Sequence, residues 1–305
     1  MSRLPVAVVL AAGFTGVQVG AAMVATRFVI ADIGPASLAL LRYAIGFLCL
    51  LPVLVATGGT LRMAARDILP VAGLGIVQFG VLIALLNVGL AHIPAGRASL
   101  VFSTFPLLTM LAAAALGRER LTAAKTAGVL LTILGVGLAL ADRIGPGPAA
   151  GWLGEGAVLA AALCGAVCTV LYRPYVARYS ALPVGAAAML ASVAFLAVLA
   201  LGEDIAGALP RITLAGWGAI LFIGLGSGAG YVLWLWALAR TTPTRVTVFL
   251  GLGPVTATLL GALLLAEPVG WLPLAGLAAV VLGLWVALAG PSGQARSRNS
   301  ATSAI

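Results

Sequence analysis

The chain carries one residue pattern twice, and the second copy begins about halfway along the sequence. Pro35 and Pro183 stand 148 positions apart. The same offset pairs Phe47 with Phe195, Gly80 with Gly228, Arg97 with Arg245, Pro106 with Pro254, Glu119 with Glu267, Gly128 with Gly276 and Gly135 with Gly283. Solenoid repeats have periods of roughly 20–50 residues, so a repeat this long indicates duplication of a larger unit. The sequence therefore predicts two similar halves, residues 1–145 and 146–289, followed by a tail at 290–305.

Composition decides which solvent the two halves face. Of the 305 residues, 62% are hydrophobic and 8% are charged, and the mean hydropathy is +1.18. A water-soluble fold of this length could not keep so many apolar side chains away from its surface. The chain is therefore predicted to be an integral membrane protein that is surrounded by the lipid bilayer. The sequence lacks the alternation of polar and apolar residues that a membrane β-barrel needs, so the membrane segments are predicted to be helices.

Ten apolar runs are long enough to cross the bilayer. A helix needs about 20 residues to cross ~30 Å of hydrocarbon. The predicted spans are residues 4–26, 37–56, 68–90, 97–117, 122–141, 152–172, 183–201, 212–239, 245–266 and 270–289. Five spans fall in each half, and this odd number makes the second half enter the membrane from the opposite side. The predicted fold is an all-α polytopic membrane protein with ten transmembrane helices in two inverted five-helix repeats.

Basic residues predict the orientation, because cytoplasmic loops of membrane proteins collect Lys and Arg. The side of the N-terminus holds twelve: Arg3, Arg62, Arg66, Arg118, Arg120, Lys125, Arg173, Arg178, Arg240, Arg245, Arg296 and Arg298. The opposite side holds four: Arg27, Arg97, Arg143 and Arg211. This difference predicts that both termini are cytoplasmic, and it explains the net charge of +9 without a nucleic-acid partner. The tail at 290–305 is polar and lacks periodicity, which predicts a disordered cytoplasmic end.

Residues that metal and acid–base chemistry need are scarce. The cysteines, Cys49, Cys164 and Cys168, all lie inside predicted spans, where a role as small buried side chains is expected. The only histidine, His92, lies in a short loop, so a zinc site or a catalytic triad has no ligand set. No nucleotide-binding motif is present. The sequence therefore predicts no cofactor, no metal and no enzymatic activity.

Two prolines occupy equivalent places deep in the fourth and ninth predicted spans, at Pro106 and Pro254. Each lacks the N–H that would bond the carbonyl group four residues earlier, at Phe102 and Leu250, so each span is predicted to bend. We interpret the matched pair as hinges. A static bend that packing relieves is the alternative, since membrane helices tolerate proline.

Matched segments of the two halves carry a family resemblance. They are residues 91–98 and 239–246 and the span endings 116–121 and 265–268, together with Arg42 early in the second span. In this order they resemble the EamA-type family of the drug/metabolite transporter superfamily, and the chain is most similar to bacterial inner-membrane exporters of metabolites and of amino acids, including aromatic ones. The resemblance implies a secondary transporter of a small molecule with alternating access. It also implies that helices one, three, four, six, eight and nine surround a central cavity. We expect a monomer or a weak homo-oligomer.

Polar and aromatic side chains inside the spans are the candidates for the cavity lining. Polar groups at bilayer depth are costly unless they face protein or water. On the eighth span, a serine, a tyrosine and a tryptophan recur at i, i+4 and i+7 and therefore share one helix face. The predicted substrate-binding residues are Gln18, Gln78, Phe79, Ser103, Ser227, Tyr231 and Trp234. For the serines a bond to their own backbone is the alternative, and for the tryptophan an anchor at the membrane interface.

Three charged residues near span ends are predicted to have structural or gating roles. Arg42 lies about five residues into the second span, where it could snorkel to the surface, bond a neighbouring helix or bind substrate. Glu119 and Glu267 are equivalent residues at the ends of the fourth and ninth spans. Ion pairs or contacts with helix N-termini are expected to lock the loops there.

The acidic residues lie at loops and span ends, whereas a proton-driven transporter usually places a carboxylate on the pathway. We therefore hypothesise facilitated or weakly coupled export across the bacterial inner membrane. The expected substrates are small neutral or zwitterionic metabolites, with large apolar or aromatic amino acids favoured. A non-transporting assembly or receptor subunit and an intramembrane lipid-modifying enzyme are the alternatives.

Overall fold

Every regular element of the described chain is a helix. A computed structural model of the protein describes residues 5–58, 61, 63–118, 122–140 and 152–289. The ten main helices are α1 (Val6–Val29), α2 (Pro35–Ala56), α3 (Ala65–His92), α4 (Ala95–Ala115), α5 (Ala123–Leu140), α6 (Leu153–Tyr179), α7 (Ala181–Ala200), α8 (Leu214–Arg240), α9 (Arg245–Leu265) and α10 (Trp271–Ala289). The predicted all-α class is confirmed.

Eight of these helices, all except α5 and α10, are long and apolar enough to cross a membrane. The apolar parts of the other two are shorter, Thr126–Leu138 in α5 and Trp271–Gly283 in α10. These two helices pack against each other through glycines. A Cβ atom built on Gly135 would stand 2.6 Å from the Gly276 carbonyl oxygen, and one built on Gly283 would stand 2.6 Å from that of Gly128. Glycine allows two helix backbones to approach this closely.

Glycines also permit the crossings that surround the centre of the bundle. A Cβ atom on Gly16 would overlap the carbonyl oxygen of Phe249, and one on Gly20 would overlap that of Gly253, so α1 and α9 touch backbone to backbone. Helices α2 and α8 cross closely as well, since a Cβ atom on Gly228 would stand 2.9 Å from the Gly46 oxygen. Both crossings join the first half of the chain to the second.

Three helices depart from α-geometry near their middles. Helix α3 contains a π-helical segment, Ile76–Val81, in which the Leu82 N–H bonds the Val77 carbonyl. Helix α4 consists of two segments, Ala95–Phe102 and Phe105–Ala115, and Pro106 stands in the first turn of the second. Helix α9 contains a 3₁₀ segment, Val248–Gly251, before the turn that holds Pro254. The two prolines thus follow irregular segments at equivalent places, while their hinge motion stays a prediction.

The structure differs most from the predicted spans at two places. Helix α6 continues past residue 172 to Tyr179, because charged residues end an apolar run without ending the backbone hydrogen bonds of a helix. Between α7 and α8 lie a short helix, Ile205–Ala208, and a 3₁₀ turn, Leu209–Arg211, which the apolar pattern did not predict. Glu119, the boundary at 145/146 and the predicted tail at 290–305 lie outside the described residues.

Candidate functional site

A cavity of about 100 Å³ lies between the two halves of the chain. Its lining comes from α1, α2, α3, α4, α8 and α9. The resemblance to a known family implied α6 in place of α2, but no lining residue comes from α6. An engineered cavity of ~150 Å³ binds one benzene molecule, so a 100 Å³ cavity is too small for an aromatic amino acid.

Aromatic rings from α2, α3, α4 and α8 line this cavity. The Phe79 ring lies between two tyrosines, with its centroid 4.7 Å from that of Tyr43 and 4.3 Å from that of Tyr231. Tyr172 of α6 approaches Tyr231 from outside the lining, with centroids 6.2 Å apart. Edge-on and tilted contacts of this kind stabilise aromatic clusters beyond the area that they bury. The Phe79 cluster, which we define as Tyr43, Phe79, Tyr172 and Tyr231, therefore links helices from both halves.

Two glutamines bring polar atoms without partners to the same cavity. The amide nitrogen of Gln18 and the amide oxygen of Gln78 are buried and make no hydrogen bond to described residues. Gly226 leaves room for the first of them, since a Cβ atom there would stand 2.7 Å from Gln18 Nε2. Buried polar groups without partners are costly, so their presence in a cavity points to a ligand or water that supplies the bonds. Gln78 and Phe79 both lie on the π segment of α3.

Among the described residues that line the cavity, Arg42 alone is charged. Its Nε donates a hydrogen bond to Ser227 Oγ at 2.6 Å, and that hydroxyl donates to the Ile223 carbonyl at 2.5 Å. The side chain is buried, with 7% of the residue exposed, so it does not snorkel to the surface. The bond joins α2 to α8, which was one of the predicted roles of this arginine.

Six of the seven predicted substrate-binding residues line the cavity: Gln18, Gln78, Phe79, Ser227, Tyr231 and Trp234. The seventh, Ser103, is buried outside the lining and donates to the Ser99 carbonyl at 2.9 Å, a backbone bond that was the stated alternative. Trp234 is buried, and its ring centroid lies 6.3 Å from that of Phe105. A tryptophan that anchors the protein at the membrane interface would instead be exposed. Sequence reasoning missed Tyr43, although an aromatic hydroxyl beside an intramembrane arginine was a usable signal.

Polar contacts join helix ends at the end of the bundle where α1 terminates, which we call the Arg27 end. Arg27 Nη1 donates to the carbonyl oxygens of Leu90 at 2.9 Å and Ala91 at 3.2 Å. The Glu267 carboxylate accepts from the Ala95 N–H at 3.0 Å and lies 3.9 Å from Arg27 Nε. A carboxylate at a helix N-terminus satisfies a backbone donor and interacts favourably with the helix dipole. These contacts tie together the ends of α1, α3, α4 and α9.

A different set of polar contacts lies at the opposite end, which we call the Asp67 end. Asp67, in the first turn of α3, accepts hydrogen bonds from Arg178 at 2.6 Å and from the Tyr179 hydroxyl at 2.5 Å. The Tyr179 hydroxyl also accepts from the Ala64 N–H at 3.1 Å. The start of α3 is therefore held against the end of α6.

A model of the EamA-like transporter family matches the chain twice, over residues 6–141 and over residues 152–289. The chain belongs to the EamA-like transporter family. As an EamA-like transporter with several long apolar helices, it is a multi-pass membrane protein.

Curated relatives of this EamA-like transporter cover most of its length. An uncharacterised transporter of Archaeoglobus fulgidus is 30% identical over 88% of this chain and 93% of its own. A protein of Streptantibioticus cattleyicolor named "Probable terminal-alkyne amino-acid exporter" is 32% identical over 74% of this chain and 75% of its own. A solved crystal structure superposes with a TM-score of 0.72 at 25% identity, and it covers 90% of this chain and 95% of that one. The helical arrangement described above is therefore shared with a solved structure.

Replacing Glu267 by alanine in this EamA-like transporter is expected to lower the free energy of unfolding by about 1 kcal/mol, because the Ala95 N–H loses its cap. The ion pair with Arg27 adds little, since the arginine side chain is 34% exposed. The midpoint of thermal unfolding in detergent should fall by about 2–4 °C. Glu267→Gln keeps an oxygen acceptor and should cost less.

The matched control for this prediction is Asp204→Ala. Asp204 also caps an N–H group with its carboxylate, that of Gly207 at 3.0 Å, but this contact lies within one exposed turn. Its loss should change the midpoint less than the loss of Glu267. Equal decreases for the two alanine variants would show that the contact between α9 and α4 contributes no more to stability than the local contact of Asp204.

Proposed function

We propose that this EamA-like transporter exports small neutral or zwitterionic metabolites across the bacterial inner membrane, and that large apolar and aromatic amino acids are its preferred substrates. It works by alternating access through the central cavity, as a monomer or a weak homo-oligomer. The single observation that carries the proposal is the lining of that cavity, which combines aromatic rings with polar atoms that have no hydrogen-bond partner among the described residues.

The lining suits a solute that is apolar at one end and polar at the other. The rings of Phe79 and Tyr231 offer faces and edges to an apolar side chain. Gln18 Nε2 can donate to a carboxylate, and Gln78 Oε1 can accept from an ammonium group. A sugar would leave the rings in contact with hydroxyl groups. A purely apolar solute would leave both amides without partners. The S. cattleyicolor relative, named "Probable terminal-alkyne amino-acid exporter", supports the same class.

We derive the mechanism from the cavity size and from the polar contacts at the two ends of the bundle. Because the cavity is too small for the proposed substrates, the Phe79 cluster must open before one can enter. With both termini in the cytoplasm and the two halves inverted, as the charge and repeat patterns favour, the Asp67 end faces the cytoplasm and the Arg27 end faces outside. Loading then requires the Asp67 contacts to separate, and release requires the Arg27 contacts to separate. The irregular segments before Pro106 and Pro254 are the proposed hinges.

Coupling to protons is not part of the proposal, because none of the described lining residues is an aspartate or a glutamate. The cytosolic excess of substrate then drives export. The purified protein in liposomes should equilibrate its substrate without concentrating it when a pH gradient is imposed. Uphill accumulation driven by that gradient would contradict this part of the proposal and leave the substrate class untouched.

The substrate class is tested by counterflow in liposomes with the full-length chain. Vesicles are loaded with an unlabelled solute, and uptake of the labelled form is followed for phenylalanine, leucine, serine, uridine and glucose. We expect transient accumulation of phenylalanine and leucine, weaker accumulation of serine, and none of uridine or glucose. Protein-free vesicles are the control. Accumulation of uridine or glucose alone would contradict the amino-acid proposal. If no solute accumulates, the protein transports none of these five compounds, and the amino-acid proposal is contradicted as well.

A further inference from the structure

We propose that Arg42 makes the central cavity a carboxylate site, so that a transported solute needs its carboxylate but not its amino group. This inference rests on the proposed function, because it assigns chemistry to the same cavity. It goes beyond that function by dividing the zwitterion into one group that the site requires and one that it tolerates.

The first step is the incomplete bonding of the Arg42 guanidinium. Nε donates to Ser227 Oγ, and the Tyr43 ring centroid lies 5.6 Å from Cζ. The two terminal nitrogens make no hydrogen bond to a described residue, and no described carboxylate pairs with the group. A guanidinium presents five N–H donors in a planar fork, so most of its donors are unused.

The second step is the charge of the lining. Arg42 is 7% exposed and supplies the only formal charge among the described residues that line the cavity. A buried charge without an opposite charge beside it is unfavourable in a medium of low dielectric constant. Intramembrane arginines accordingly often line transport pathways or pair with the charge of a ligand. A carboxylate matches the guanidinium fork with two parallel hydrogen bonds. A solute carboxylate is therefore the counter-ion that this cavity lacks.

The third step concerns the ammonium group of an amino acid. The described lining offers it an amide oxygen, at Gln78, and aromatic faces, but no carboxylate. A cation would also stand in the same cavity as the Arg42 guanidinium, whose charge repels it. The site therefore discriminates by the negative end of the solute. Removing the amino group should be tolerated, whereas removing the carboxylate should not.

The test uses two analogues that share the phenyl ring and the two-carbon chain of phenylalanine. 3-Phenylpropionate lacks the amino group, and phenethylamine lacks the carboxylate. Each is added at equal concentration on both sides of liposomes that hold the full-length protein, and inhibition of labelled phenylalanine counterflow is measured. We expect 3-phenylpropionate to inhibit within about threefold of unlabelled phenylalanine, and phenethylamine to be at least about tenfold weaker, as the loss of a charge-assisted bidentate contact requires.

Variants assign the discrimination to one side chain. Arg42→Gln removes the charge and should bring the ratio between the two inhibitory concentrations close to one. Ser227→Ala removes the bond between α2 and α8 but keeps the guanidinium, so the ratio should persist. If Arg42→Gln does not fold, Arg42→Lys keeps the charge without the fork, and it should preserve the preference for the carboxylate while weakening inhibition by 3-phenylpropionate several-fold.

Each outcome decides between the two proposals. Equal inhibition of the wild-type protein by both analogues, or an unchanged ratio in Arg42→Gln, would overturn the carboxylate site and leave amino-acid transport in place. If neither phenylalanine nor leucine is exchanged, the proposed function is overturned and, with it, the role of Arg42 in substrate recognition.

Discussion

Gly16→Ala is expected to lower the free energy of unfolding by about 1–3 kcal/mol, as added volume in a close-packed contact does. The new Cβ atom would overlap the carbonyl oxygen of Phe249, which belongs to the backbone and cannot turn away as a side chain could. Either α1 or α9 must therefore move. Both helices line the cavity, through Gln18 and Leu250 among others, so transport should fall together with stability.

Gly13→Ala is the control for this substitution, because it lies one turn earlier on the same helix. Its Cβ atom would stand 3.9 Å from a methyl carbon of Leu252, an ordinary contact distance. Since alanine favours a helix over glycine by about 0.5–1 kcal/mol, this variant should be neutral or slightly more stable. Thermal unfolding in detergent compares the two variants directly. A stable Gly16→Ala protein would show that α1 and α9 do not pack as closely as described.

Tyr231→Ala is expected to reduce phenylalanine counterflow at least about tenfold, because a contact worth ~1.4 kcal/mol changes an equilibrium by that factor. The Tyr231 ring lines the cavity and meets both Phe79 and Tyr172. Its loss removes a surface for the side chain of the substrate and leaves the Phe79 ring without one of its two neighbours. Counterflow in liposomes at matched protein density measures the effect.

Two controls separate this effect from general damage to α8. Tyr231→Phe keeps the ring and should retain most of the transport. Trp236→Ala removes a larger ring from the same helix, but that ring stacks on the Arg240 guanidinium at 3.9 Å and lies outside the lining. It should therefore have a small effect. Equal losses in Trp236→Ala and Tyr231→Ala, with both proteins folded, would contradict a role for Tyr231 in the cavity.

Helices were predictable from the sequence because a bilayer requires about 20 apolar residues in a row. The bounds of α2, α8 and α10 lie within two residues of the predicted spans, since charged or turn-forming residues flank each apolar run. The end of α6 at Tyr179 was not predictable in this way. The apolar run ends at residue 172 while the backbone hydrogen bonds of the helix continue, and its last two residues contact Asp67, more than a hundred positions earlier.

The candidate site was predictable only in part. The stripe of Ser227, Tyr231 and Trp234 follows from helix periodicity, and all three residues line the cavity. The role of Ser103 could not be decided from the sequence, because a serine in a helix can bond either a solute or the backbone of its own helix. In the structure its hydroxyl donates to the Ser99 carbonyl oxygen. The place of Arg42 depends on a contact with a residue 185 positions away. Local pattern carries no information on such a contact.

The π segment of α3 has a genetic consequence. A π turn holds one residue more than an α turn, so deleting one residue from Ile76–Val81 would restore a continuous α-helix and keep Ala65–Gly75 and Leu82–His92 in their present relative rotation. The deletion would mainly change the directions in which the side chains of Gln78 and Phe79 point. The same deletion in α8, which is α-helical throughout, would turn every later side chain by about 100°. Single-codon deletions should therefore be tolerated for folding in α3 and not in α8, and the α3 deletion would alter the cavity by chain length alone.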